Sequence, residues 1–202
     1  MGTMLQAKGL PVGATPELTA LEHPEWLLDI HRAYVEAGAQ ILYANTFGAN
    51  REKLSHCGRT VEEIVPAAVA LAKEAAQGRA LVALDIGPTG QLLEPTGILD
   101  FETAVDIFAQ VVKAGAAAGA DLIVIETMTD LQEARAALLA AKENSSLPVL
   151  VTMTYEATGR TFLGCSPAAA ALTLEGMGAD AIGVNCSLGP REMPPLVEEL
   201  LQ

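Results

Sequence analysis

Short apolar runs recur along this chain, and each ends in a polar residue at the same offset. Gly38-Ala39-Gln40 leads into Ile41-Leu42-Tyr43-Ala44 and then Asn45-Thr46. Gly119-Ala120-Asp121 leads into Leu122-Ile123-Val124-Ile125 and then Glu126-Thr127, and Gly178-Ala179-Asp180 leads into Ala181-Ile182-Gly183-Val184 and then Asn185-Cys186. Runs that are short, branched and unalternating predict strands buried on both faces. The glycine before each run suits the residue just past a helix, where a left-handed backbone is needed. Two further strands fit between these: Ala80–Leu84, ending at Asp85, and Val149–Met153, ending near Thr154. Leu81, Val82, Ile123, Val149 and Val151 are expected to face inward.

Helical periodicity fills the intervals. Pro24–Ala37 is amphipathic. Thr60 and Glu63 form a capping box that opens Val61–Gln77. Asp100 caps a helix that turns Phe101, Val105, Phe108 and Val112 to one face. Asp130 caps Leu131–Asn144, with Leu131, Ala134, Leu138 and Ala141 inward, and Ser166-Pro167 supplies the cap and first residue of another helix. Strands alternating with helices predict an α/β fold of parallel βαβ units, with residues 1–202 forming one domain. A Rossmann sheet would want a G-x-G-x-x-G turn after its first strand, and none is present. Polar residues at the ends of several strands instead favour a (β/α)8 barrel of the TIM type, whose sites are assembled from many strand ends. Five strands are predicted where a barrel has eight, and 202 residues fall short of the usual length of about 250. The barrel is therefore expected to be incomplete, with about strands two to six present.

Composition narrows the function. Apolar residues make up 50% and charged residues only 18%, which fits an ordered domain rather than a disordered segment. Aromatics at 4% leave the core to Ala, Val, Leu and Ile. A net charge of −13 argues against nucleic acid and against anionic membrane surfaces, because phosphates would be repelled. No apolar run is long enough to span a bilayer, and no basic patch with an apolar h-region marks a signal peptide. Cys57, Cys165 and Cys186 are too few and too irregularly spaced for a disulfide framework, so a reduced, cytoplasmic protein is expected. His56-Cys57 lacks a second pair at ligand spacing and reads as a solvated loop.

Five stretches then resemble one family, the homocysteine S-methyltransferases. Met1-Gly2-Thr3-Met4-Leu5 is similar to the end of the family's opening D-G-A-M-G-T, and Asn45-Thr46-Phe47-Gly48-Ala49 to its N-T-F-G-A. Asp85-Ile86-Gly87-Pro88-Thr89-Gly90 resembles bacterial cobalamin-dependent methionine synthases, Glu126-Thr127 matches an E-T, and Gly183–Pro190 matches G-[IV]-N-C-S-L-G-P. The resemblance runs in order over nearly the whole chain. It implies a TIM-type barrel that transfers a methyl group to homocysteine in one-carbon metabolism, giving methionine.

It also implies zinc held by three cysteines, of which Cys186 is the first and an adjacent pair in G-G-C-C-G supplies the others. Such a zinc ion deprotonates the homocysteine sulfur. Glu126 becomes the expected partner of the substrate's amino group, with Asn45, Thr46 and Asp85 beside it. No residue of the chain is expected to act as an acid, base or nucleophile. The methyl donor, cobalamin with methyltetrahydrofolate, would be handled by other modules of the same gene product. The resemblance begins after the family's opening Asp-Gly-Ala and stops before its paired cysteines, so the zinc site is expected to be incomplete and the segment alone inactive. Two other readings stay open at this point. One is a barrel aldolase or lyase, which would want a strand-end lysine and finds none. The other is a non-catalytic truncated barrel.

Overall fold

The computed structural model describes residues 1–202. Five strands form one parallel sheet in the order β1 (Ile41–Tyr43), β2 (Leu81–Ile86), β3 (Leu122–Met128), β4 (Val149–Met153) and β5 (Ala181–Val184). The helices are α1 (Gly2–Lys8), α2 (Thr19–Glu22), α3 (Pro24–Glu36), α4 (Arg51–Leu54), α5 (Val61–Ala76), α6 (Phe101–Ala117), α7 (Leu131–Asn144), α8 (Pro167–Gly176) and α9 (Pro194–Leu200), with a 3-10 turn at Pro16–Leu18. Sequential neighbours in a parallel sheet, each reached through a helix, are the topology of a (β/α) barrel. The sheet is open, with β1 and β5 at its edges.

The helix starts follow from local chemistry. Thr60 Oγ1 accepts from the Glu63 amide at 3.3 Å while Glu63 Oε2 accepts from the Thr60 amide at 2.9 Å. Asp100 and Asp130 each accept a first-turn amide at 2.9 Å, and Ser166 accepts from Ala169 at 3.3 Å. These are orphan amides at a helix start, which the cap side chains satisfy.

Alternate strand residues go to opposite faces of the sheet. Val82 and Leu84, Ile123 and Ile125, and Val149 and Val151 are buried on the face covered by α5, α6 and α7. Gly115 of α6 makes room there, since a Cβ on it would lie 2.4 Å from the Leu84 side chain. Leu81 departs from the expectation that it faces inward: it is 53% exposed. Its register partner is Ile41, on the edge strand, also exposed, and both lie on the face that no helix covers. A second cluster of Leu5, Ala20, Leu27, Ile30 and Ala68 packs beneath the N-terminal helices.

The recurring Gly-Ala-Asp has a structural meaning. Asp121 Oδ2 accepts the Val82 amide at 2.7 Å and its other oxygen meets Lys73 at 2.6 Å. Asp180 Oδ2 repeats this with the Val149 amide and Lys142, both at 2.8 Å. Each aspartate thus ties the start of its own strand to the start of the previous one. This ties the N-terminal rim together and leaves the C-terminal rim for polar groups of another kind. No helix is long and apolar enough to cross a membrane.

Candidate active site

At the C-terminal rim the strand ends surround a cavity of about 370 Å³. Asn45, Asp85, Glu126 and Cys186 all line it, together with Glu17 and Thr127. Four of the five residues that sequence analysis singled out therefore meet in one place. The fifth, Thr46, is buried and does not line the cavity. Its hydroxyl donates to the Asp85 carbonyl at 2.8 Å and accepts from the Asp85 amide at 3.0 Å, so it locks the end of β1 to β2. Asn45 faces the cavity, but its amide nitrogen is committed to the Pro16 carbonyl at 2.7 Å and Thr19 Oγ1 at 3.1 Å. It anchors the 3-10 turn that forms one wall.

The cavity floor is acidic. Asp85 is only 7% exposed, and its Oδ1 meets no hydrogen-bond donor. Burial, then the charge and hydrogen bond of Glu126, push the Asp85 carboxyl well above the usual carboxylate range. Burial raises Glu126 as well, while hydrogen bonds from Asp85 and Asn185 pull it back. Both shifts favour the protonated carboxyl, since neighbouring carboxylates disfavour each other's ionisation. Glu17, also buried, accepts from the Gly48 amide at 2.6 Å and adds to the field at Asp85. Gly48 admits it, since a Cβ there would sit 2.7 Å from Glu17 Oε1. Tyr43 in the same wall is raised by burial and by Glu126 and Asp85.

Asn185, just past β5, joins the acidic floor to the sulfur. Its Nδ2 donates to Glu126 Oε2 and to Thr127 Oγ1, both at 2.9 Å. Its Oδ1 accepts from the Thr127 amide at 3.2 Å and from Thr152 Oγ1 at 3.0 Å. Thr154 Oγ1 donates to the Asn185 carbonyl at 3.1 Å. Thr127 Oγ1 lies 3.7 Å from Cys186 Sγ. Thr127, Cys186 and Ser187 all have left-handed backbones, at φ 62°, 57° and 60°. Non-glycine residues in that region cost about 1 kcal/mol or more each. Such strain gathers at sites where side chains must be aimed rather than packed.

Known proteins point the same way. The homocysteine S-methyltransferase profile matches residues 1–202. The chain belongs to the homocysteine S-methyltransferase family. It is 31% identical to a methionine synthase of Mycobacterium tuberculosis over 212 aligned residues, covering 96% of the chain. A methionine synthase of Mycobacterium leprae is 30% identical over the same share. The chain spans 18% of the length of either relative. Among solved structures, the metallated homocysteine methyltransferase MmuM of Escherichia coli superposes with a TM-score of 0.87. At 21% identity the superposition covers 99% of this chain and 76% of that one, and it supports the barrel-type fold.

The family implies a metal, and the residues present can be tested against one. No group of three His, Cys, Asp or Glu side chains stands close enough to hold an ion. Around Cys186 the near polar neighbour is a hydroxyl, Thr127, and the carboxylates belong to the acidic pair. Cys186 alone does not make a zinc centre, which needs four ligands. The residues that line the cavity include no lysine, the side chain that Schiff-base chemistry would use.

Glu17 and the hub role of Asn185 were not anticipated from the sequence. Glu17 sits in a short turn 31 residues from the amide it meets, and nothing local marks it. Asn185 and Thr127 were visible as polar strand ends, but the pattern alone does not say which strands their side chains join.

Proposed function

We propose that the cavity binds the amino-acid end of homocysteine and presents its thiol beside Cys186 for methylation, giving methionine. One observation supports this: the buried Asp85 carboxyl and the half-buried Glu126 carboxyl share a cavity with a strand-end sulfur. Glu126 and Asp85 receive the ammonium group. An ammonium has three donors, and Glu126 with the unpartnered Asp85 Oδ1 offers acceptors that water reaches poorly. Asn45 and Thr46 hold the walls that place Asp85. The thiol end then lies toward the open side, where Cys186 is exposed.

Of the family's zinc ligands these residues offer Cys186 alone; zinc, where its other ligands are provided, would supply the thiolate of homocysteine. The methyl group comes from cobalamin and methyltetrahydrofolate on other modules of a longer, cytoplasmic methionine synthase. The family membership and the methionine synthase relatives support this. The 202 residues act as one homocysteine-binding unit and are inactive in isolation.

Calorimetric titration with L-homocysteine tests the reading. Glu126→Gln should weaken binding by about 10–100-fold, the worth of a hydrogen bond to a charged group. The amine-free analogue 4-sulfanylbutanoate should lose a similar factor. An analogue that binds as tightly as homocysteine would overturn the assignment of the acidic floor.

A further inference from the structure

We infer that Thr127 donates its hydroxyl proton to the sulfur of Cys186, and that Asn185 is the residue that orients it. The assignment follows from donor and acceptor counting. The Thr127 backbone amide can only donate, so the Asn185 atom it meets at 3.2 Å is the oxygen. The Glu126 carboxylate accepts, so the Asn185 atom 2.9 Å from it is the nitrogen. These two partners fix the amide without ambiguity. The Asn185 nitrogen has no lone pair to offer, so at its 2.9 Å contact with Thr127 Oγ1 the threonine is the acceptor. The threonine's own proton is left for another acceptor, and the Cys186 sulfur is 3.7 Å away, within reach for a sulfur contact. A deprotonated or metal-bound cysteine carries no proton of its own, so only the threonine can supply the one in this contact.

Two positioning residues follow. Thr127 holds the sulfur, and Asn185 holds Thr127 through two contacts while gripping Glu126 with the same nitrogen. The left-handed backbones at Thr127 and Cys186 are what bring a hydroxyl on β3 to a sulfur beyond β5. The contact makes Asn185 a bridge between the two ends of the proposed substrate. The inference rests on Cys186 being the working sulfur of that site, and its test needs no metal and no turnover.

The experiment is alkylation of Cys186 by iodoacetamide in the full chain carrying Cys57→Ser and Cys165→Ser. It is run near pH 10, where free cysteine is largely thiolate, so the rate reports how available the sulfur lone pairs are. A thiolate that accepts a proton donor is the weaker nucleophile. Thr127→Val keeps the branched shape and removes the donor, and it should react at least threefold faster than the parent. Thr127→Ser restores the hydroxyl and should return to the parental rate. Asn185→Ala should also be faster, and combining it with Thr127→Val should add nothing. Equal rates for the valine variant and the parent, in chains with matching circular dichroism, would overturn the inference. So would a serine variant as fast as the valine one. Homocysteine should slow parental alkylation. Its failure to do so would count against the proposed function, while the rate ratios among variants would still decide the hydrogen bond.

Discussion

The two halves of the site are built in opposite ways. The carboxyl half sits on β2 and β3, whose central residues are sealed by α5, α6 and α7, and Asp85 is 7% exposed. The sulfur half sits past β5, a strand with no fully buried residue, and Cys186 is exposed. Burial is what raises the two carboxyls, and on the proposed function the acidic half would recognise a cation by excluding water. The sulfur half instead uses strain, with consecutive left-handed residues at Cys186 and Ser187 that aim a side chain into open space. A recognition group gains from a dry setting, because charge interactions strengthen as water leaves. A sulfur that must meet a metal or a methyl donor needs access. On the proposed function, the contrast separates binding from chemistry within one rim.

The largest test removes the residue that joins the halves. Asn185→Ala deletes the partners of Glu126 Oε2, Thr127 and Thr152 at once. A cost of about 2 kcal/mol is expected, seen as a melting point about 4–8 °C lower. A melting point within 1 °C of the parent would mean that the halves are independent.

A smaller effect of opposite sign is expected inside the acidic half. A carboxyl whose folded pKa is raised binds its proton more tightly in the folded chain. Its contribution to stability is therefore lost as pH rises from the ordinary carboxylate range through the raised folded value. Asp85→Asn removes that loss while still offering a donor to Glu126. The variant should be about 1 kcal/mol more stable near pH 8, or about 2–4 °C, and the difference from the parent should shrink toward pH 4. Comparing the two proteins cancels the other carboxylates. A parent that stays the more stable at pH 8 would show that Asp85 is not held protonated by burial.

The smallest effect belongs to the open half. Cys186→Ser should change stability by no more than about 0.5 kcal/mol, because an exposed side chain with one long contact has little to lose. A drop of several degrees in thermal melting would show that the sulfur is structural.

Much of this was legible in the chain itself. Thr60, Asp100, Asp130 and Ser166 cap helices as expected, because a cap bonds an amide two or three residues away. The strands were legible because burial on both faces demands unbroken apolar runs, and their polar ends fell on one rim because parallel strands share a direction. The rest depended on which residues the fold brings across the sheet. Thr46 reads as a site residue by position, yet its hydroxyl bonds the Asp85 backbone. Glu17 enters the cavity from a turn with no periodic signature. Leu81 looks like core, and the uncovered face beside the edge strand leaves it wet. The left-handed turns at Thr127 and Cys186 lack the glycine that usually announces them.

On the proposed function, one rim reads the amine with Asp85 and Glu126 and places the thiol beside Cys186. The most direct measurement is an amide NMR titration of the full chain with L-homocysteine. The shifts should concentrate at Asp85, Glu126, Thr127, Asn185 and Cys186, and Glu126→Gln should shrink them together. Shifts confined to the β1 edge around His31 and Tyr34, or no shift at the rim, would contradict the account.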